Sequence, residues 1–372
     1  MLPPDAGSRI LFFSGGTALG PVASELSRHT ARAVHVITTF DSGGSSAVLR
    51  RVFDMPAVGD IRARIMALAD RTLAGNPETV SLLGYRLPKD AEPTALRAEL
   101  DALAAGTHPL AAAIPEPMHE VVTQHLSAFR ALMPPDMDLA GASIGNLILT
   151  SGYLSLDRQL EPVVRVFSGM VQAQGVVLPV AAGCAHLCVE LADGEIIVGQ
   201  HRFTGKTASA ITSPIADMWL SATLDDPAPV SVPIQPRLAA VIRSADLICY
   251  PVGSFFSSVM ANLLPEGVSR AVREAVCPKV FIPNLGTDPE LFGLSVQDQV
   301  EWLLRFCAGE GCPAGRVLNW LLVDEDESRY PGGIPHAWLA RLGIRVRKAH
   351  LVVEPPYLDA ALLCRELLGE WK

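Results

Sequence analysis

The sequence predicts a three-layer, Rossmann-like α/β fold on a mostly parallel sheet, with a helical insertion and a short antiparallel element. Three observations carry that prediction. Apolar runs of strand length recur ahead of helical segments, at RILFF, AVHVITTF and ADLICY, which is the rhythm of βαβ units. The junctions after those runs are glycine-serine turns, at Ser14-Gly15-Gly16-Thr17, Ser42-Gly43-Gly44-Ser45-Ser46 and Val252-Gly253-Ser254. The composition, 49% hydrophobic and 19% charged over 372 residues, suits a chain that buries a large core.

Taken in order, Arg9 to Phe13 reads as the first strand, Gly15-Gly16-Thr17 as its turn, and Gly20 onward as a helix. The turn is neither a Walker A loop nor a GxGxxG fingerprint. The second unit, Thr38 to Asp70, is the richest. A strand ends near Asp41; Ser42, Gly43, Gly44, Ser45 and Ser46 form the turn, and a helix carries Arg50 and Arg51. Such a turn lets backbone N–H groups approach an anion with the positive end of a helix behind them. Asp60 then reads as the N-cap of a helix holding Arg62, Ile65 and Leu68. Two acids among small polar turns are what a phosphate ester with a divalent metal requires.

Residues 73–139 break this rhythm with helical stretches separated by prolines, and read as an insertion over the ligand edge of the sheet. Gly145-Asn146 opens an apolar helix, and Asn146 offers both a donor and an acceptor. Arg165 to Arg202 reads as strands, including VVRVFSGMV, with a hairpin at Asp193-Gly194. After the third turn come Ser258 and Asn262, then a strand ending at Asn284, with Thr287 beyond it. Residues 311–372 supply two more strands and a last helix that complete the sheet, all within one α/β domain spanning 1–372.

The paired stretches SGGTALGP and FDSGGSSAVLRRVFDMPAVGDIRARIMALAD resemble the 2-phospho-L-lactate transferase superfamily of CofD/YvcK type. They are nearer the YvcK-like branch, whose patterns are GGGTG, ADDGGSSGRLR and PPGDIRNCLVALA. ASIGNLILTSGYL, PVGSFFSSVMANLLPEGVSRAV and FIPNLGTDPELFGLSVQDQV resemble the family's later motifs, in order along most of the chain. The resemblance implies transfer of a phospholactyl group from a guanosine diphospho-lactate, with Asp41 and Asp60 holding Mg²⁺. The alternative it implies is a UDP-sugar-binding regulator of central carbon metabolism and cell shape, without catalysis. Either way the ligand is a nucleoside diphosphate or a nucleotide-sugar, held by the three turns, Arg50, Arg62, Asn146, Asn262, Asn284 and Thr287. Relatives of this kind also imply a homodimer. Two departures stand out: Ser42 replaces the second aspartate of the pattern, and Phe256 replaces a tyrosine.

Charge and cysteines bound the rest. A net charge of −9 gives no electrostatic footprint for nucleic acid or an anionic membrane. Met1 to Ser8 does not read as a secretory signal, and no apolar run reaches a membrane span of ~20 residues. Seven scattered cysteines fit a reduced, cytoplasmic protein. Cys184, His186 and Cys188 have metal-like spacing but read as buried side chains, and Gln200, following Gly199, receives no catalytic duty.

Overall fold

The computed structural model describes residues 7–71, 76–204, 211–285, 288–309 and 311–371. Thr287 lies outside the described residues. Along the chain, β1 (Ile10–Ser14) leads through α1 (Gly20–Leu26) to β2 (Val34–Ile37), then to α2 (Gly44–Phe53) and α3 (Gly59–Leu68). Helices α4 (Pro77–Gly84), α5 (Pro93–Ala104), α6 (Pro109–Ala112) and α7 (Met118–Leu132) follow, then α8 (Ile144–Ser155) and α9 (Leu160–Met170). Next come β3 (Val176–Pro179), β4 (His186–Leu191), β5 (Ile196–Val198) and β6 (Ile215–Ser221). The remainder alternates: α10 (Pro236–Arg243), β7 (Leu247–Tyr250), α11 (Val268–Glu274), β8 (Lys279–Phe281) and α12 (Val296–Cys307). It closes with β9 (Trp320–Asp324), α13 (His336–Arg341), β10 (Arg345–Ala349) and α14 (Ala360–Leu367).

Seven strands form one sheet in the order β10-β9-β8-β7-β1-β2-β3, and every pairing in it is parallel. Strands β5-β4-β6 form a separate antiparallel sheet. The alternation of β1 sorts the core into layers. Leu11 and Phe13 face the side packed by α10, α11, α12 and the small sheet. Ile10 and Phe12 face α1 and α14. Farther along that second side, α2 to α9 pack on the β2–β3 end of the sheet.

One segment departs from the sequence reading. VVRVFSGMV is not a strand but the body of α9. Its buried residues Leu160, Val163, Val164, Phe167 and Met170 follow the helical period, which outweighs the β-branched content. The strand that follows, β3, joins the main sheet in parallel beside β2, so only β4, β5 and β6 are antiparallel.

The order of strands has a direct consequence. From β1 the chain winds one way through β2 to β3 and later the other way through β7 to β10. The switch point lies between β1 and β7, and ligands in such sheets bind at the carboxyl ends of the strands at that point.

Candidate active site

The turns after β1, β2 and β7 meet around one cleft of about 530 Å³. Gly15, Gly16 and Thr17 come from the first turn, and Asp41, Gly43, Gly44, Ser45 and Ser46 from the second. Gly253, Ser254 and Ser258 come from the third. Close approach explains the glycines. A Cβ on Gly16 would fall 3.0 Å from the Asp60 Cα, inside van der Waals contact. The first turn therefore rests directly on the start of α3.

Asp60 is not the cap of that helix. Val58 takes the capping position and Asp60 is the second helical residue. The helix starts two residues earlier than the sequence suggested, at Gly59, which without a side chain fits beside the Ser46 hydroxyl. In the first turn the Asp60 carboxylate still faces the positive helix end favourably. Asp41 accepts the Gly43 N–H through Oδ1 at 2.9 Å, which shapes the second turn. At the end of that turn α2 begins without any side-chain cap, so its first-turn N–H groups stand at the cleft wall as donors.

Behind this wall runs a polar relay. Arg62 Nε donates to Asn146 Oδ1 at 3.0 Å, and Asn146 Nδ2 donates to Ser45 Oγ at 2.8 Å. Asn146 is buried and fixes both partners instead of lining the cleft itself. Burial lowers Arg62 to about 10, with Arg86 pushing the same way and Asp60 opposing. Arg62 is still a cation at neutral pH. Arg86, contributed by the 73–139 stretch, adds a second guanidinium to the wall.

Other expected residues are placed elsewhere. Arg50 turns away from the cleft and donates to the carbonyls of Phe40 (3.2 Å), Asp41 (3.0 Å) and Ala185 (2.5 Å), so it ties the second turn to the β3–β4 connection. Ser42 is buried, and its Oγ lies 2.7 Å from His201 Nδ1. Asn262 is also buried and donates to the Ser14 carbonyl at 3.1 Å, linking β1 to the third turn. The third turn is not an open anion cradle. The Gly253 N–H is taken by Asn284 Oδ1, that of Phe255 by Asp288 and that of Ser257 by Glu290, each at 2.8–2.9 Å. A π-helical turn at Phe255–Val259 follows it in place of an α-helix. Ser254 and Ser258 offer the cleft their surfaces nonetheless.

The sequence reading missed three residues of this neighbourhood. Arg64 is fully buried, donates to the Gly15 carbonyl at 2.9 Å, and is lowered to about 10 by burial, which Asp60 opposes. Its position was legible, since Ile61, Arg64, Ile65 and Leu68 share the buried face of α3. His201 lines the cleft and its pKa is lowered by burial; only its position beside Gly199 and Gln200 at the end of a hairpin hinted at it. Arg86 had no sequence signal. His186, at the start of β4, is pushed down to about 4 by burial and next by Arg50, and contacts Arg50 at 3.4 Å.

Among the described residues no group of three or more His, Cys, Asp or Glu side chains is placed to hold a metal. Asp41 and Asp60 nonetheless share the cleft. Mg²⁺ is commonly held by one or two carboxylates, with water and phosphate oxygens completing its shell. Two carboxylates lining one cleft are a donor set of that kind. Among the described residues, no helix is long and apolar enough to cross a membrane.

Comparisons with known proteins agree with this architecture. Residues 10–331 match the family model described as 2-phospho-L-lactate transferase CofD. A protein of Bacillus subtilis named gluconeogenesis factor is 27% identical over 320 residues, covering 86% of this chain and 79% of its own. A Deinococcus radiodurans protein is 26% identical over 323 residues, or 86% of this chain, which spans only 54% of that relative's length. A crystal structure of a UPF0052 family member from Bacillus halodurans matches 98% of this chain and 99% of its own. Its TM-score is 0.72 at 21% identity, a likeness of fold.

Proposed function

The chain belongs to the 2-phospho-L-lactate transferase CofD family, and from that premise we propose that its cleft binds a nucleotide-linked phosphate ester and transfers a substituted phosphate group. The observation that carries this reading is the meeting of the turns after β1, β2 and β7 at the switch point, with two carboxylates and two guanidinium groups around them. The open first turn of α2 supplies neutral N–H donors for phosphate oxygens, and Arg62 and Arg86 supply positive charge. A Mg²⁺ ion held by Asp41 and Asp60 would neutralise charge on the diphosphate. Transfer then joins an acceptor hydroxyl oxygen to the distal phosphorus and breaks the bridging P–O bond. The nucleoside monophosphate leaves and the hydroxyl proton passes to solvent. Such chemistry depends on positioning and charge more than on a covalent nucleophile.

A second reading, a nucleotide-sugar-binding regulator without catalysis, is favoured by Ser42. Where the family pattern has a second acid, this chain has a hydroxyl that is buried and tied to His201. Relatives named gluconeogenesis factor point the same way. Mass spectrometry of the nucleotide that co-purifies with the native protein separates the two. A guanosine diphosphate derivative supports transfer and a uridine diphosphate sugar supports regulation. Protein that, purified gently, carries no nucleotide and takes up neither class counts against both.

A further inference from the structure

At the opposite edge of the sheet from the cleft lies a groove of about 380 Å³. Three neighbouring strands begin there, and their first residues are Lys279 of β8, Trp320 of β9 and Arg345 of β10. Val280 and Arg345 both pair with Trp320, so the three stand side by side. Arg316 completes a cluster of three cationic side chains, and among the described residues no acidic side chain lines the groove. On a chain of net charge −9, that is a local reversal of sign.

The cluster is built into the fold. Lys279 is only 2% exposed. Asn319 holds its main chain, accepting the Lys279 N–H at 2.9 Å and donating its own N–H to the Lys279 carbonyl at 3.0 Å. The ammonium donates to the Ala275 carbonyl at 2.5 Å, just past the end of α11. That contact uses one of its three donors. Burial lowers its pKa, and Arg316 adds to the shift. The Arg345 guanidinium stacks on the Trp320 ring at 3.8 Å, which fixes its plane at the rim. Trp371 meets Trp320 edge-on, with ring centres 5.7 Å apart. The Trp320 indole N–H is buried with no acceptor among the described residues. Beside these donors the wall is apolar, including Val276, which is 91% exposed.

A buried ammonium that spends one donor within the fold, beside two guanidinium groups with no carboxylate partner among the described residues, calls for an acceptor carrying negative charge. From this juxtaposition we propose that the groove formed by Lys279, Arg316, Trp320 and Arg345 is a second ligand site, which takes a small organic oxyanion: a phosphate- or carboxylate-bearing molecule with an apolar body against Val276. It is separated from the cleft by the length of the strands and is independent of what the cleft binds.

The test is titration of the full chain with phenyl phosphate and, separately, with benzoate, followed by calorimetry and by tryptophan fluorescence. Saturable binding is expected for at least one, and the preferred probe tells phosphate from carboxylate. Arg316→Glu, at an exposed position that leaves the core untouched, is expected to weaken it by at least about tenfold. Lys279→Met should do the same where it folds. Raised salt should weaken binding. The cleft variant Arg62→Ala should leave the groove's affinity unchanged. No saturable binding of either probe at millimolar concentration, equal affinity in Arg316→Glu, or loss only in Arg62→Ala would each overturn the proposal. In those cases Lys279 is simply the cap of α11.

Discussion

At the cleft wall two carboxylates, Asp41 and Asp60, stand beside two guanidinium groups, Arg62 and Arg86. Asp60 acts in two directions, since its charge also steadies the buried Arg64 beneath the first turn. Replacing it therefore tests structure and binding separately. Asp60→Ala is expected to destabilise the fold by about 1–2 kcal/mol, through the lost helix-end charge and the lost counter-charge to Arg64. Urea denaturation reads that change. By calorimetry the same variant should lose at least about tenfold in Mg²⁺-dependent affinity for GDP or UDP; unchanged affinity would make Asp60 a purely structural residue. Turn residues such as Gly15, Gly16, Gly43 and Ser45 were legible because their chemistry is local. Arg86 and His201 were not, because they reach the cleft from distant parts of the chain and only the tertiary fold brings them there. Arg50 was misjudged for the opposite reason: a cation beside an anion-binding turn can serve backbone carbonyls instead.

Among the elements, α8 shows how tightly the site is assembled. It starts at Ile144 against the end of α4, and a Cβ on Gly145 would lie 2.6 Å from the Leu83 carbonyl oxygen and 2.7 Å from Arg62 Cδ. Backbone cannot yield as a side-chain tip can. Gly145→Ala is thus expected to cost about 1–3 kcal/mol and to displace Asn146 and Arg62 together, weakening anion binding. Gly20→Ala at the start of α1 is the control, because nothing lies within 4 Å of its Cβ position. It should be neutral or stabilising by about 0.4–1 kcal/mol. Equal effects of the two in thermal denaturation would refute the packing argument. The periodicity of strands and helices made most elements legible, whereas α9 was hidden by its valines. The third turn was half legible: its sequence resembles the other two, but Asp288 and Glu290, some thirty residues on, occupy its N–H groups.

On the scale of the whole molecule, the cleft joins turns that the chain visits more than two hundred residues apart, around the central strands of the sheet. A ligand there contacts both windings of the fold and binds only the folded state. Its effect on stability is set by mass action, about 2.7 kcal/mol at a hundredfold excess over Kd, which for a chain of this size is a shift of a few degrees in Tm. Thermal unfolding of ligand-stripped protein with GDP, UDP or a UDP-sugar, each with and without Mg²⁺, is the most direct measurement. The account predicts a rise of a few degrees with at least one nucleotide, larger with Mg²⁺ present and absent with Mg²⁺ alone. An unchanged Tm for all of them at millimolar concentration would contradict it.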